Sequence, residues 1–358
     1  MPTLLLVDLL DRIRRPWVPL LGALALSGCS SLEYYGHLAR GQFSLLQARE
    51  PVQRLLDEPG LAPGLRQRLA LSQQARSFAS DHLGLPDNDS YRVYADLDRP
   101  YVVWNLFATP EFSLQPITHC FPIAGCVAYR GYYQQGRARG AAALLREEGL
   151  DTWVGGVEAY STLGWFDDPL LGTMLRWDDD RLAALIFHEL AHQRFYLPGD
   201  TAFNESYASF VEREGLRQWR LSRGLPPADD ADTHRREAFT RLVLDTRERL
   251  ERLYASGLSP ERMREAKAAE FERLRRDYRA LRDREWGGRK RFDTWVDGPM
   301  NNAKLLPFGL YDQWVPAFAA LHRAVSGDWR AFYRRVEELS ALPAKERIRA
   351  LESLMANG

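Results

Sequence analysis

The sequence predicts an α+β fold that is mostly helical. Long stretches carry apolar residues at three-to-four-residue spacing, which is the period of amphipathic helices. One region, between Tyr91 and Tyr133, is instead rich in β-branched and aromatic residues and predicts a small sheet. Of the 358 residues, 45% are hydrophobic and 27% are charged. That composition is typical of a globular protein rather than of a disordered or multi-span membrane protein.

The predicted elements before the sheet are two helices. Helical spacing extends from Gly41 to about Gly84, with interruptions at Pro51 and at the Pro59–Gly60 turn. Within it, the run Leu65–His82 predicts the second helix of a hairpin. The elements predicted after the sheet are a helix at Arg137–Glu148, a glycine-containing strand at Thr152–Trp165, helices at Arg181–Tyr196 and about Ala202–Trp219, a long helical hairpin within 226–290, and two or three helices within Asn301–Met355.

The charge balance excludes one class of partner. Lys+Arg and Asp+Glu both number 48, so the formal net charge is zero and no global field would attract nucleic acid. The charge-rich stretch 226–290 is read as solvated helix faces. We therefore expect no nucleic-acid partner, and any protein partner is left open.

The N-terminus predicts a signal peptide at residues 1–28. Arginines precede an apolar run, residues 16–26, that is too short to span a bilayer. The Leu-Ser-Gly-Cys segment that ends at Cys29 resembles the lipobox of bacterial lipoproteins. The resemblance implies that Cys29 is lipidated and becomes the first residue of the mature chain. A serine directly after the lipidated cysteine, as at Ser30, resembles the lipoproteins that are sent to the outer membrane. That resemblance implies a location at the periplasmic face. The alternative for the N-terminus is an uncleaved signal anchor.

The two other cysteines, Cys120 and Cys126, predict a disulfide. The periplasm is oxidising, so an even pair in an exported protein suggests a bond that closes a tight loop. The alternative is two free buried thiols, because sequence does not show whether their Cβ atoms approach closely enough. Neither cysteine is given a metal-ligand role.

The pentapeptide His188-Glu189-Leu190-Ala191-His192 predicts a metal site on a helix. Residues four apart share a helix face, so both histidines can direct ring nitrogens at one Zn²⁺ ion. Glu189 projects to the side, where it can accept a proton from a water and return it to the leaving amine. This layout is typical of a zinc peptidase. The alternative is a chance match, with two half-buried histidines and a surface glutamate.

A catalytic zinc needs a third protein ligand and an open position. Metzincins place Gly and His three and six residues after the second histidine, but Phe195 and Pro198 stand there. A carboxylate from the next helix is the remaining standard solution. Glu205 and Glu212 lie on one face of that helix, so either could be the ligand. Glu205 is favoured because the turn at Pro198 points the start of this helix back at the first.

Two segments carry a family resemblance. His188–Gln193 and Asn204–Phe210 resemble the gluzincin aminopeptidases, which pair HELAHQ with an NEGFA-type segment. Together with the lipobox and the cysteine pair, they resemble a bacterial family of aminopeptidase lipoproteins over most of the mature chain. The resemblance implies Zn²⁺, peptide substrates and a zincin-like core at residues 91–225. That core would lie between helical regions at 29–90, 226–290 and 291–358.

The same resemblance implies a substrate site. Gly155, Gly156 and Glu158 fall where such aminopeptidases carry a GAMEN-like strand. Its backbone would pair with the substrate, and Glu158 would receive the free α-amine through a charge-assisted hydrogen bond. The alternative is an edge strand with an exposed glutamate.

A zinc peptidase also needs a donor for the oxyanion. Tyr311 is the leading candidate, and Tyr160 and Tyr207 compete with it. An aromatic residue among apolar neighbours is more often simple packing. His234 and His322 are predicted to be ordinary surface residues.

The sequence therefore predicts a zinc-dependent aminopeptidase that is anchored to the outer membrane and faces the periplasm. One alternative is a zinc endopeptidase that processes envelope proteins. The other is a non-catalytic lipoprotein scaffold that binds zinc.

Overall fold

The computed structural model describes residues 33–121, 125–159, 167–229, 231–309 and 312–357. The predicted signal peptide and Cys29 lie outside these residues. The chain divides into two compact units, the first ending at Ala48 and the second beginning at Arg49. In the first unit, residues 33–47 form helix α1. None of the described helices is long and apolar enough to cross a membrane.

The second unit begins with a strand where the sequence predicted helix. Arg49–Pro51 forms β1, since a proline pushes the residue before it into an extended conformation. A short helix, α2 at Val52–Asp57, and a long helix, α3 at Pro63–Asp81, follow. The helical prediction is therefore wrong at β1, and the predicted helix Leu65–His82 corresponds to α3.

The strands form two small sheets and a hairpin among the described residues. The first sheet has the order β1-β2-β8, with β2 at Val93–Ala95 and β8 at Leu170–Leu171. The second has the order β6-β3-β7, with β3 at Val103–Pro110, β6 at Tyr129–Tyr132 and β7 at Leu150–Val157. The hairpin pairs β4 at His119–Phe121 with β5 at Gly125–Val127. Within the hairpin, Cys120 and Cys126 are opposite each other and form a disulfide.

One face of the second sheet is covered by helix α4, Gln135–Glu147. The Thr152 hydroxyl in β7 donates to the carbonyl oxygen of Ala142 in α4 at 3.5 Å. Because successive strand residues point to opposite faces, the neighbouring Trp153 faces away from α4. Thr152 therefore lies on the face of the sheet that packs on α4, and Trp153 lies on the opposite face.

Two adjacent helices form the centre of the unit. Helix α5, Asp179–Arg194, packs against α3 and against helix α6, Thr201–Ser222. Gly215 lets α6 pack close to α5, because a Cβ there would lie 3.1 Å from the ring of Phe187. These two helices carry the predicted metal ligands.

The remaining helices complete the core. The predicted hairpin consists of α7, Ala231–Tyr254, and α8, Pro260–Glu285, which share a hydrophobic core that includes Phe239 and Phe271. The helices after it are α9 at Asp293–Asp297, α10 at Asn302–Leu305, α11 at Val315–Ala324, α12 at Trp329–Ser340 and α13 at Ala344–Asn357. The predicted fold class, α+β and mostly helical, is confirmed.

The short helix α10 is fixed to the sheet by Asn302, which is fully buried. Its side-chain amide donates to the carbonyl oxygens of Glu111 and Ser113, at 3.0 Å each. Its side-chain oxygen accepts from the Tyr254 hydroxyl at 2.7 Å. One asparagine thus ties α10 to the end of β3 and to α7.

Candidate metal centre

His188, His192 and Glu205 converge on one point between α5 and α6. The two Nε2 atoms lie 3.1 Å apart. The Glu205 carboxylate lies 3.5 Å from His188 Nε2 and 3.7 Å from His192 Nε2. One potential ligand atom from each residue lies within 4.8 Å of the others, so this group could bind a metal.

Helix α5 presents both histidines because its other positions fix its orientation. Leu182, Ile186 and Phe187 are fully buried, which holds that stripe of the helix in the core. The start of the helix is capped by Asp178, whose carboxylate accepts from the Arg181 amide at 2.8 Å. The four-residue spacing then brings His188 and His192 onto one face.

Glu205 is placed by the turn between the two helices. Asn204 holds that turn with two bonds to Leu197, in which its oxygen accepts from the amide at 2.8 Å and its nitrogen donates to the carbonyl at 2.7 Å. Asp200 caps α6 by accepting from the Phe203 amide at 3.1 Å. The turn therefore returns the first turn of α6, with Glu205, to the histidines.

Glu212 has a different position from Glu205. Its carboxylate oxygen lies 2.9 Å from His188 Nδ1, on the side of the ring opposite Nε2. A proton on Nδ1 donated to Glu212 leaves the Nε2 lone pair free to bind a metal. Of the two carboxylates that the sequence left as alternatives, Glu205 faces the ligand position and Glu212 orients the histidine.

The donor set fits a divalent cation. With Nδ1 of His188 bonded to Glu212, its Nε2 lone pair faces the Glu205 carboxylate, and two electron-rich groups at that distance require a positive charge between them. Burial lowers the pKa of His188, but the neighbouring Glu205 and Glu212 carboxylates outweigh burial and raise that pKa well above its ordinary value. The site therefore favours a positive charge, which a proton or a metal can supply.

Glu205 is held as a carboxylate in the same arrangement. Burial raises its pKa, but the interactions of the carboxylate with His188 and His192 outweigh burial and lower the pKa to about 2. The Nδ1 atom of His192 is buried and has no hydrogen-bond partner among the described residues.

Glu189 lies beside the ligands and is half-buried. Burial raises the pKa of Glu189; its electrostatic interactions with His188 and His192 oppose this effect, and those with Glu205 and Asp168 add to it. An effective general base has a pKa near the working pH, so a raised pKa makes the Glu189 carboxylate better suited to that role.

Sequence reasoning missed a set of polar residues that covers the Glu189 face of α5. Gln193, one turn after Glu189 and on the same face, accepts from the Asn88 side chain at 2.7 Å and donates to the Ser90 hydroxyl at 3.2 Å. It also donates to the Asp168 carboxylate at 3.4 Å. These bonds hold residues 88–90 and Asp168 over the helix. The position of Gln193, directly after the motif, was the one signal available.

Tyr91 continues this segment with an unusual backbone. Its φ angle is +64°, which is rare for a bulky residue. Its amide donates to the Asp168 carbonyl at 2.7 Å, and its own carbonyl accepts from Gln73 at 2.9 Å. Burial raises the pKa of Tyr91 well above its ordinary value, and the negative charge of Glu189 raises it further.

Arg76 in α3 is only 1% exposed and holds the same segment, residues 86–90. Its guanidinium donates to the carbonyl oxygens of Pro86, Asn88 and Ser90 at 2.8, 2.9 and 3.1 Å. No feature of the sequence distinguishes this arginine from the other charged residues of α3.

We expect Arg76→Met to lower the free energy of unfolding by about 3–5 kcal/mol, because it leaves buried acceptors without a donor. The matched control is Arg92→Met, in which a 47% exposed arginine is removed and less than about 1 kcal/mol is lost. Urea unfolding of the metal-free protein measures both. Equal losses for the two variants would contradict the role given to Arg76.

Glu158 lies at the end of β7 and contacts the start of α5. Its Oε2 atom accepts from Trp177 Nε1 and from the Arg181 guanidinium, both at 2.9 Å. Arg181 is seven residues before His188, about 10 Å along the helix axis. The structure does not bring Glu158 into the ligand group, and its substrate role stays a prediction.

Gly155 and Gly156 are both covered by aromatic rings. A Cβ at Gly155 would lie 2.3 Å from the Trp153 ring, and one at Gly156 would lie 2.4 Å from the Tyr101 ring. The packing alone therefore requires glycine at both positions. Pairing of this strand with a substrate stays a prediction.

The three tyrosines predicted as candidate oxyanion donors differ in what the structure shows of them. Tyr311 and Tyr160 lie outside the described residues. Tyr207 is fully buried, contacts the rings of Phe195 and Phe318, and its hydroxyl has no partner among the described residues. That environment indicates that Tyr207 has a packing role. His322, predicted at the surface, is instead buried among aromatic rings, so that prediction is wrong.

Comparison with known proteins gives one match. A family model described as "Putative aminopeptidase" matches residues 33–351. No curated protein and no solved structure shows significant similarity to the chain.

Proposed function

The chain belongs to the family described as "Putative aminopeptidase", and from that premise we propose that it is a zinc-dependent aminopeptidase with a zincin-like core. The observation that carries the proposal is the convergence of His188, His192 and Glu205. Glu189 stands on the same helix, beside that point. Two imidazoles and one carboxylate are the ligands of catalytic zinc sites that keep a fourth position open.

Each residue has a definable part in peptide hydrolysis. His188, His192 and Glu205 would hold the cation, and Glu212 would keep His188 in the tautomer that binds it. A bound divalent cation would polarise the peptide carbonyl and make an attacking water more acidic. Glu189 would accept the proton of that water and then deliver it to the leaving amine. The hydrolysis then needs no covalent intermediate.

Glu158 is the proposed anchor for the free α-amine of the substrate. Both described donors to this carboxylate bond to Oε2. Among the residues that the structure describes, no donor is bonded to Oε1, so this atom could accept from a third donor, such as an ammonium group. Trp177 and Arg181 would hold the carboxylate in one orientation while it binds the amine.

Tyr311 is the proposed donor to the oxyanion. The residues next to it in sequence are held against α6: Asp312 accepts from Arg213 at 2.8 Å, and the Trp314 amide donates to Ser206 at 3.1 Å. Arg213 follows Glu212 in sequence, and Ser206 follows Glu205. These contacts support a place for the segment close to the ligands.

The lipobox supports a location at the periplasmic face of the outer membrane, with Cys29 as the lipid anchor. Incorporation of a palmitate analogue in cells, lost in Cys29→Ala, is the expected result. Labelling that persists in that variant would contradict the anchor.

Digestion of peptide pairs with free and acetylated N-termini tests the exopeptidase assignment. We expect release of N-terminal residues from the free peptides and at least a tenfold lower rate for the acetylated ones, because acetylation removes the charge that Glu158 would bind. Cleavage of both forms at internal bonds would instead identify an endopeptidase. Zinc binding without cleavage of any peptide would favour the scaffold.

A further inference from the structure

An exposed tyrosine lies directly beside the candidate metal centre. Tyr196, two residues after the end of α5, is 42% exposed. Its ring makes an edge contact with the ring of His192, with centroids 6.2 Å apart and an interplanar angle of 70°. The preceding Phe195 turns inward onto Phe203 and Tyr207. Tyr196 therefore presents an aromatic surface to solvent next to a metal ligand.

A second aromatic surface lies on the face of the sheet that points away from α4. Phe107 in the central strand pairs with Tyr129 on one side and with Trp153 on the other. The ring centroids are 5.5 Å and 5.6 Å from that of Phe107. Tyr129, at the end of this row, is 39% exposed.

One contact and one electrostatic interaction relate this sheet to α5. At the start of α5, Arg181 and Trp177 bond to Glu158, which directly follows β7. At the other end of α5, Tyr129 is close enough to Tyr196 for an electrostatic effect: burial raises the pKa of Tyr129, and Tyr196 raises it further. The described helices that pack most closely on the sheet are α4 and α10, not α5.

Exposed aromatic rings cost free energy in water, and a cluster of them beside a site marks a place where a ligand buries them. The occupant is limited by the neighbouring metal ligand, because Tyr196 contacts His192 itself. A group bound against Tyr196 must belong to the molecule that reaches the metal centre.

We propose that Tyr196 and Tyr129 form the wall of a subsite that binds an aromatic or long aliphatic side chain of the peptide residue next to the cleaved bond. This inference rests on the proposed peptidase function and adds its substrate class. The two rings supply apolar area, and their hydroxyl groups keep hydrogen bonds with water when the subsite is empty.

The test compares peptides of the form Xaa-Ala-Ala and Ala-Xaa-Ala with Xaa as Phe, Leu, Ala or Glu, digested by the zinc-loaded protein. At one of the two positions we expect kcat/KM for Phe and Leu to exceed that for Ala by about tenfold or more, and Glu to be the poorest. Tyr196→Ala should reduce the ratio of Phe to Ala to below about twofold. Tyr196→Phe should keep it, because the ring provides the contact.

Tyr35→Ala is the matched control, since Tyr35 is 44% exposed and lies in the other unit; its ratio should equal that of the wild type. Zinc affinity is measured for each variant, because a loss of metal would lower the rates for all peptides equally and leave the ratio unchanged. Hydrolysis with no apolar preference, or a preference that survives Tyr196→Ala, would overturn the subsite and leave the peptidase function intact. Absence of hydrolysis for every peptide would overturn both.

Discussion

Glu189→Gln is expected to lower kcat by about a hundredfold to ten-thousandfold, the usual contribution of a positioned general base. Glutamine keeps the shape of the side chain but does not accept the proton of the attacking water. The histidines and Glu205 are untouched, so the zinc content and the thermal stability should equal those of the wild type. Steady-state kinetics on a peptide with a free N-terminus, with zinc measured on the same sample, gives both results.

The control for this variant is Glu248→Gln, which removes a 68% exposed carboxylate in α7. It should leave kcat unchanged. If Glu189→Gln retained wild-type kcat with a full complement of zinc, the role of Glu189 as the base would be wrong. A variant that lost its zinc would show instead that Glu189 is needed for the metal.

Glu205→Gln and Glu212→Gln are expected to separate the two carboxylates by their effect on zinc affinity. Glu205 faces both Nε2 atoms, so its loss removes a charged ligand and should weaken binding by well over about 100-fold. Glu212 bonds only to the far nitrogen of His188, and loss of such a partner costs about 10–100-fold.

Competition for zinc with a chromophoric chelator measures both affinities, and calorimetric unfolding of the metal-free forms shows whether each variant folds. A larger loss of affinity for Glu212→Gln than for Glu205→Gln would exchange the two roles.

The sequence predicted the metal helix well because its evidence is local. The spacing of His188 and His192 fixes their shared face on any helix, and the apolar residues between them place that helix in a core. The small sheet and the long helical hairpin also follow from patterns that repeat within a few residues. The strand at Arg49–Pro51 was not predicted from such a local pattern, because its partner strand, Val93–Ala95, is distant in sequence.

The rest of the candidate site depends on contacts that no local pattern contains. Glu205 and Glu212 share a helix face, and only the turn held by Asn204 decides which of them reaches the histidines. Arg76 and Gln193 act on residues 88–90 from helices far apart in sequence. His322 was predicted at the surface because its neighbours in sequence are mixed, whereas its neighbours in space are aromatic.

The central claim is that one metal ion at His188, His192 and Glu205 is required for peptide hydrolysis. The most direct measurement is the hydrolysis rate of a peptide with a free N-terminus while zinc is titrated into the metal-free protein. We predict a rate that rises in proportion to zinc and reaches its maximum at one zinc per chain. A rate that is already maximal without metal, or no hydrolysis at any zinc concentration, would contradict the claim.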